Sequence, residues 1–125
     1  MSVKPTSSSQ PTKSNSTIDV AFCPRFHKAI ELVGRRWTGA IVRVLLGGPR
    51  RFNELLAAVP GMSDRLLTER LRELEAENLI HREVQPGSPV RVVYSLTCAG
   101  AELQAALDAL AQWAERWIEA PSDVA

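Results

Sequence analysis

Leucines recur at helical spacing between residues 63 and 77. Leu67, Leu71 and Leu74 stand at positions i, i+4 and i+7, which places them on one stripe of an α-helix. Ser63 precedes the stripe as a candidate N-cap, because its hydroxyl can accept a hydrogen bond from a free backbone N–H. The pattern predicts an amphipathic helix with one apolar side and a polar outer face.

A short turn at residues 59–62 contains proline and glycine and separates this helix from a smaller amphipathic stretch at residues 51–58. Two helices joined by a tight glycine-containing turn are typical of a helix-turn-helix, whose second helix fits the DNA major groove. A helical hairpin with merely solvated charges has the same pattern. The flanking segments therefore decide between the two interpretations.

The preceding segments predict two helices. The first, at residues 24–33, has Pro24 at its first position, where the missing N–H costs nothing, and Gly34 at its end. The second, at residues 37–46, is apolar and stops at a Gly-Gly-Pro run, so we expect it to be buried, with Trp37 in the core.

After residue 79 the apolar period changes from helical to strand-like. Residues 80–84 and 90–96 are rich in valine, isoleucine and tyrosine, and a turn-forming cluster at residues 85–89 separates them. Two short strands directly after a candidate recognition helix indicate a β-wing, although an ordinary hairpin lying on the core is the alternative. The fold class predicted is mainly α with a small β-hairpin wing, a winged helix-turn-helix.

A long terminal helix is predicted at residues 99–119, with Thr97 as N-cap. Its apolar arc is broad and contains two tryptophans, which favours pairing with a second copy over packing onto its own domain alone. The predicted dimerisation residues are Phe22, Phe26, Leu103, Leu107, Leu110, Trp113 and Trp117.

The length of 125 residues fits one domain with tails. Residues 1–17 are rich in Ser, Thr, Pro, Gln and Lys and are predicted to be a disordered tail; residues 18–119 form the domain, and residues 120–125 a frayed end. No apolar run is long enough to span a membrane and no signal-peptide block is evident, so we expect a cytoplasmic protein.

The charge is distributed unevenly, although the net charge is only +1. Five arginines and no acidic residue lie between Glu31 and Glu54, whereas after Arg91 the only basic residue is Arg116, against five acidic ones. This segregation favours a molecule with one face toward a polyanion, although simple solvation of the charges is the alternative.

The candidate DNA contacts follow from these charges and from the helix faces. Arg65 is the predicted principal base reader, because arginine can grip guanine with two hydrogen bonds. Glu69 has an alternative role as a helix-pairing charge with Arg65 or Arg72. The predicted groove-facing residues are Ser63, Arg65, Thr68, Glu69 and Arg72, and the predicted phosphate contacts are Arg50, Arg51 and Arg91.

Metal and enzyme chemistry find no support in the sequence. The two cysteines form no CxxC motif, and His27 and His81 lie far apart without ligand-spaced partners. There is no glycine-rich phosphate loop and no nucleophile–base pairing that the sequence places together. We therefore predict no metal, no cofactor and no enzymatic activity.

Several segments together resemble the HxlR-type winged helix-turn-helix regulators, relatives of the MarR group. They are Cys23-Pro24, GRRWT at residues 34–38, RFNEL at 51–55, residues 63–74, and YSLT at 94–97. The resemblance implies a homodimeric cytoplasmic regulator that binds a pseudo-palindromic operator in double-stranded DNA. Asn78 departs from the family, which often has glycine there, and so does Cys98, where a charged residue is usual.

The resemblance also implies, for some members, that a cysteine near the N-terminus senses oxidants or electrophiles. Cys23 stands at that position, beside Arg25 at a helix start, where a dipole and a cation favour the reactive thiolate. A small buried cysteine without a redox role is the alternative. Two further alternatives are a repressor gated by a small apolar ligand near Trp113 and Trp117, and a winged helix that contacts only proteins.

Overall fold

A computed structural model of the chain describes residues 22–120. The predicted tail at residues 1–17 and the predicted C-terminal end, apart from Ala120, lie outside the described residues. The chain divides into two units, Met1–Arg35 and Arg36–Ala125. Within the described residues, no helix is long and apolar enough to cross a membrane.

The first unit contributes helix α1, Pro24–Val33, with the predicted bounds. Cys23 is its N-cap residue in an extended conformation, and Pro24 occupies the first helical position. Gly34 follows the last turn, and its N–H donates to the Ile30 carbonyl at 2.8 Å. No residue of α1 is buried, and Phe26 on its apolar side is 65% exposed.

The second unit holds the remaining elements and confirms the predicted fold class. Five helices and three short strands follow one another in the described chain: α2 Thr38–Leu46, β1 Arg50–Arg51, α3 Phe52–Ala58, α4 Asp64–Ala76, β2 Ile80–Gln85, β3 Arg91–Leu96, α5 Cys98–Ala101 and α6 Gln104–Trp117. Helices α3 and α4 are the helix-turn-helix, and β2 and β3 are the wing.

The leucine stripe of α4 is buried as predicted. Leu67, Leu71 and Leu74 are each at most 3% exposed and join the core with Ile41, Val42 and Leu45 of α2. Removing a leucine side chain from water contributes about 2 kcal/mol. Three of them in one stripe therefore fix which side of α4 faces inward, and so also fix which side faces outward.

The ring of Trp37 lies close to the turn between α3 and α4. Gly61 has a φ of +92°, a conformation that favours glycine, and a Cβ there would lie 3.5 Å from the ring of Trp37. Trp37 itself precedes α2 in a left-handed conformation with φ of 78° and packs against the core, as predicted.

The sheet has one strand more than the sequence predicted. Its order is β1-β3-β2, all antiparallel, and Arg50 and Arg51 of β1 pair with Tyr94 and Val93 of β3. A strand of two residues has no alternation to detect, so the pattern of the sequence could not reveal it.

The end of α4 places Asn78 in a left-handed conformation. This residue has φ of 62°, the left-handed geometry that asparagine tolerates, and the Leu79 N–H reaches the Leu74 carbonyl at 2.9 Å. The chain then turns directly into β2.

The terminal segment corrects the prediction of one continuous helix. The structure has a single turn, α5, and then α6, with residues 102–103 between them. The Thr97 side chain caps α5 by accepting from the Gly100 N–H at 3.1 Å, and the Leu103 N–H bonds to the Gly100 carbonyl at 3.1 Å, three residues back. This tighter bond breaks the α-helical spacing and separates the two helices.

Candidate nucleic-acid interface

The outer face of α4 is opposite the leucine stripe. Arg65, Glu69 and Arg72 recur there at spacings of four and three, and Arg65 is 90% exposed. Arg65 Nε lies 3.6 Å from a Glu69 carboxylate oxygen, so the two predicted contacts form an exposed ion pair. Such a pair contributes little stability and opens readily, which leaves Arg65 able to bind a stronger anion.

The hydroxyl groups of two predicted groove contacts, Ser63 and Thr68, form hydrogen bonds with the backbone of α4. Ser63 caps α4, as predicted, by accepting from the Leu66 N–H at 3.1 Å. Thr68 Oγ1 donates to the Asp64 carbonyl at 2.9 Å. The Thr68 methyl group and a hydroxyl acceptor lone pair remain for contact, so an apolar contact suits Thr68 better than hydrogen-bond donation.

The two arginines ahead of α3 are engaged within their own segment. Arg51 Nη2 lies 3.6 Å from Glu54 Oε2, and the Arg51 N–H donates to Glu54 Oε1 at 2.8 Å. The backbone hydrogen bond from Arg51, joined by the attraction of its guanidinium, lowers the pKa of Glu54 below 4.5. Arg50 Nη1 donates to the Pro49 carbonyl at 2.9 Å. A phosphate must therefore compete with internal partners for both side chains.

A cleft of about 440 Å³ lies between α4 and the hairpin. Its lining includes Arg72, predicted as a groove contact, and Arg82, which was absent from the predicted contact set. The full lining is Phe52, Thr68, Leu71, Arg72, Glu75, Arg82 and Tyr94. Arg91, the predicted wing contact, lies exposed at the first residue of β3 and does not line this cleft.

Arg70 is a structural residue of this surface that sequence reasoning missed. Its Nε donates to the Arg36 carbonyl at 2.9 Å, and its Nη1 lies 3.1 Å from Glu73 Oε2. The side chain is only 12% exposed. The one signal in the sequence was its position beside the stripe, three residues after Leu67 and four before Leu74, where a charge needs partners. The Arg70 bonds attach α4 to the segment that leads into α2.

The predicted dimerisation residues divide into two groups. Leu107 is 7% exposed in the core of its own unit, and Leu103 packs partly buried against that core. Both therefore pack within their own unit, and their assignment as dimer contacts stays a prediction. Leu110, Trp113 and Trp117 are 52–68% exposed on α6, and Phe22 and Phe26 are exposed in the first unit.

The effector site predicted near Trp113 and Trp117 stays a prediction. A cleft of about 470 Å³ along α6 is lined by Arg43, Ala111, Ala114, Glu115, Ile118 and Ala120, and neither Trp113 nor Trp117 borders it. Both cysteines, Cys23 ahead of α1 and Cys98 at the start of α5, are free thiols and exposed, so the alternative of a buried Cys23 is wrong.

Comparison with known proteins identifies the family. A model of the HxlR-like helix-turn-helix family matches residues 32–122, most of the chain. The chain belongs to the HxlR-like helix-turn-helix family. The resemblance noted in the sequence is thus confirmed, and the protein is a transcriptional regulator of the helix-turn-helix type.

The relatives of this HxlR-like regulator are similar over most of their length. YvaP of Bacillus subtilis, an uncharacterized HTH-type transcriptional regulator, is 47% identical over 97 residues, which is 78% of this chain and 90% of YvaP. The HTH-type transcriptional regulator YodB of the same organism is 43% identical over 101 residues, 81% of this chain and 89% of YodB.

Solved structures of such regulators share the fold. Reduced YodB superposes with a TM-score of 0.72 at 42% identity, covering 78% of this chain and 96% of that one, and YodB structures also exist in diamide-treated and quinone-bound forms. The redox regulator HypR in its oxidized form gives a TM-score of 0.72 at 33% identity, covering 77% of this chain and 99% of that one.

Proposed function

We propose that this HxlR-like protein is a homodimeric, sequence-specific DNA-binding regulator. The observation that carries the proposal is helix α4, whose leucine stripe is buried while Arg65 and Arg72 stand on the opposite, open face. A helix of 13 residues is about 20 Å long, and its width suits the roughly 12 Å opening of the major groove. The Ser63 cap and the Arg70 bonds hold it rigidly, which favours base reading.

The division of roles between arginines follows from their surroundings. Arg65 is almost fully exposed, and its weak pair with Glu69 exchanges readily for the edge of a guanine. Arg50, Arg51 and Arg91 lie on strands of the sheet, where contact with phosphates positions the protein without reading sequence. The operator is a pseudo-palindrome whose half-sites are about 34 Å apart, one helical turn, since a two-fold dimer presents two recognition helices.

The test selects bound sequences from random duplexes and then measures affinity for the selected and a scrambled duplex at several salt concentrations. Arg65→Ala is expected to lose roughly tenfold or more on the selected duplex and little on the scrambled one. Arg51→Ala is expected to weaken both duplexes alike and to flatten the salt dependence. If the wild-type protein enriches no sequence, the proposal fails.

Regulation by electrophiles through Cys23 is a second part of the proposal. It is supported by the exposure of the Cys23 thiol and by the quinone-bound and diamide-treated forms of the similar regulator YodB. In the proposed step the Cys23 sulfur adds to a ring carbon of a quinone, forming a C–S bond. The thiol proton goes to one quinone oxygen, and the hydrogen of the attacked ring carbon moves to the other oxygen as its C–H bond breaks, which gives a hydroquinone thioether. No further oxidant is required.

Intact mass measurement after treatment with one equivalent of a quinone tests this step, with Cys23→Ser and Cys98→Ser as matched variants. The expected result is one adduct on wild type and on Cys98→Ser, none on Cys23→Ser, and loss of operator binding only where the adduct forms. A loss of DNA binding that persists in Cys23→Ser would instead favour a ligand pocket without covalent chemistry.

A further inference from the structure

The cleft between α4 and the hairpin brings together hydrogen-bond donors from two separate elements. Arg72 comes from the recognition helix, whereas Arg82 and Tyr94 come from opposite strands of the hairpin. Arg82 and Tyr94 are direct cross-strand partners, so their side chains stand on one face of the sheet. That face also carries Ile80, which is 2% exposed in the core, so it is the face turned toward α4.

These three side chains are free to bind a ligand. Among residues 22–120 neither Arg72, Arg82 nor Tyr94 has a side-chain hydrogen bond or ion pair, in contrast to Arg50, Arg51, Arg65 and Arg70. The planar forks of two guanidinium groups that line one cleft match the oxygens of a phosphate group. The phenol O–H of Tyr94 adds a third donor.

We propose that this cleft is a phosphate clamp, in which Arg72 and Arg82 together grip a single phosphodiester group of duplex DNA. The inference rests on the proposed DNA-binding function and deepens it, because it adds Arg82 to the contacts and assigns Arg72 to the backbone rather than to bases. The clamp couples helix to hairpin, so both elements dock in one register along the duplex.

Glu75 opposes the two arginines of the clamp. It lines the same cleft, three residues beyond Arg72 on α4, and its negative charge repels a phosphate bound there. Replacing Glu75 by glutamine removes the repulsion and keeps the side-chain size, so it is expected to tighten DNA binding severalfold.

Measuring DNA affinity against salt concentration for two single variants and their double variant, in the full chain, distinguishes one shared phosphate from two separate ones. Each phosphate contact contributes about 0.9 to the slope of log affinity against log salt concentration. Arg72→Ala, Arg82→Ala and the double variant are each expected to lower the slope by about 0.9, because removing either arginine releases the same phosphate. Each single variant is expected to weaken the selected and scrambled duplexes alike, on the order of tenfold.

The matched control is a double variant that combines Arg72→Ala with Arg91→Ala, because Arg91 does not line the cleft. Here two different phosphates are lost, so the slope falls by about 1.8. Arg82→Lys keeps the charge and is expected to keep the slope while losing part of the affinity, which excludes a folding defect as the cause.

The outcomes separate this inference from the proposed function. If the wild-type protein discriminates sequences, two results overturn the clamp and leave the regulator intact. One is a slope that falls by about 1.8 in the Arg72/Arg82 double variant, and the other is an Arg82→Ala variant that binds DNA normally. A wild-type protein without sequence preference overturns the regulator itself.

Discussion

Among the glycines of the described chain, Gly100 has the least room for a side chain, because the backbone of Leu79 lies against it. A Cβ at this position would overlap the carbonyl oxygen of Leu79, and it would also meet the Leu96 side chain at 3.0 Å. The carbonyl cannot move away freely, because it accepts the Thr97 N–H at 3.0 Å. Glycine is needed here for lack of space, and the cause lies about twenty residues away in the sequence.

Gly100→Ala is therefore expected to destabilise the protein by about 1–3 kcal/mol, since the added methyl forces α5 away from the start of β2. Thermal unfolding followed by circular dichroism measures this, with a decrease in Tm of about 5 °C or more expected. Gly39→Ala is the matched control. Gly39 lies in helix α2, and apart from the backbone of that helix nothing comes within 4 Å of the position that an alanine Cβ would take. Alanine there is expected to be neutral or to stabilise by up to about 1 kcal/mol. Equal melting temperatures for the two variants would contradict the steric explanation.

Residues that act on their own neighbours could be predicted from the sequence. Ser63 and Thr97 cap helices as predicted, because each role depends only on side-chain chemistry and local order along the chain. Arg70 could not be assigned in this way. Its partner is the Arg36 carbonyl, 34 residues away, and no local pattern identifies that contact.

At the scale of elements, prediction succeeded where many residues share one period. The predictions of the α4 helix and of the two wing strands were correct, because apolar residues recur several times at the expected spacing in each. Strand β1 has only two residues, and the break between α5 and α6 lies beside the close contact of Gly100 with Leu79. Both features are set by tertiary packing, which apolar spacing does not encode.

The start of α3 is an element boundary with a pH-dependent component. Glu54 accepts the Arg51 N–H and pairs with its guanidinium, and this hydrogen bond lowers the pKa of Glu54 in the folded protein. A carboxyl group with a lowered pKa stabilises the folded state above its ordinary pKa of 4.5, and that contribution is lost as the pH falls through the folded value.

Glu54→Ala is expected to lower the melting temperature at pH 7, and the difference from wild type is expected to fade as the pH falls below 4.5. Glu54→Gln separates the two causes, because the amide oxygen still accepts the Arg51 N–H but carries no charge. Its deficit at pH 7 should be smaller than that of alanine. A difference between Glu54→Ala and wild type that stays constant from about pH 7 to about pH 3 would contradict a role of the charge.

At the scale of the whole molecule, each of the two units exposes apolar side chains among the described residues. Helix α1 has no buried residue, and α6 buries only Leu107 while Leu110, Trp113 and Trp117 remain more than half exposed. On α6, exposed leucine and tryptophan side chains that share one helix face are typical of an interaction surface. Because the sequence predicted a broad apolar arc but not its division, only the structure separates Leu107, used by the core, from the three residues left for a partner.

Trp113→Ala is expected to dissociate the proposed homodimer. A tryptophan at the centre of an interface contributes about 2 kcal/mol or more, and a two-fold interface presents it twice. The dimer dissociation constant is therefore expected to rise by roughly a thousandfold, which sedimentation velocity across a concentration series detects.

Val90→Ala is the matched control, because Val90 is 59% exposed on the hairpin loop and its loss should leave the dimer unchanged. Trp113→Ala is also expected to bind a single half-site nearly as well as wild type but to lose the affinity gained on the full pseudo-palindrome, since two tethered recognition helices bind cooperatively and two separate ones do not. A wild-type chain that sediments as a monomer at every concentration would refute the dimer while leaving recognition by a single α4 untouched.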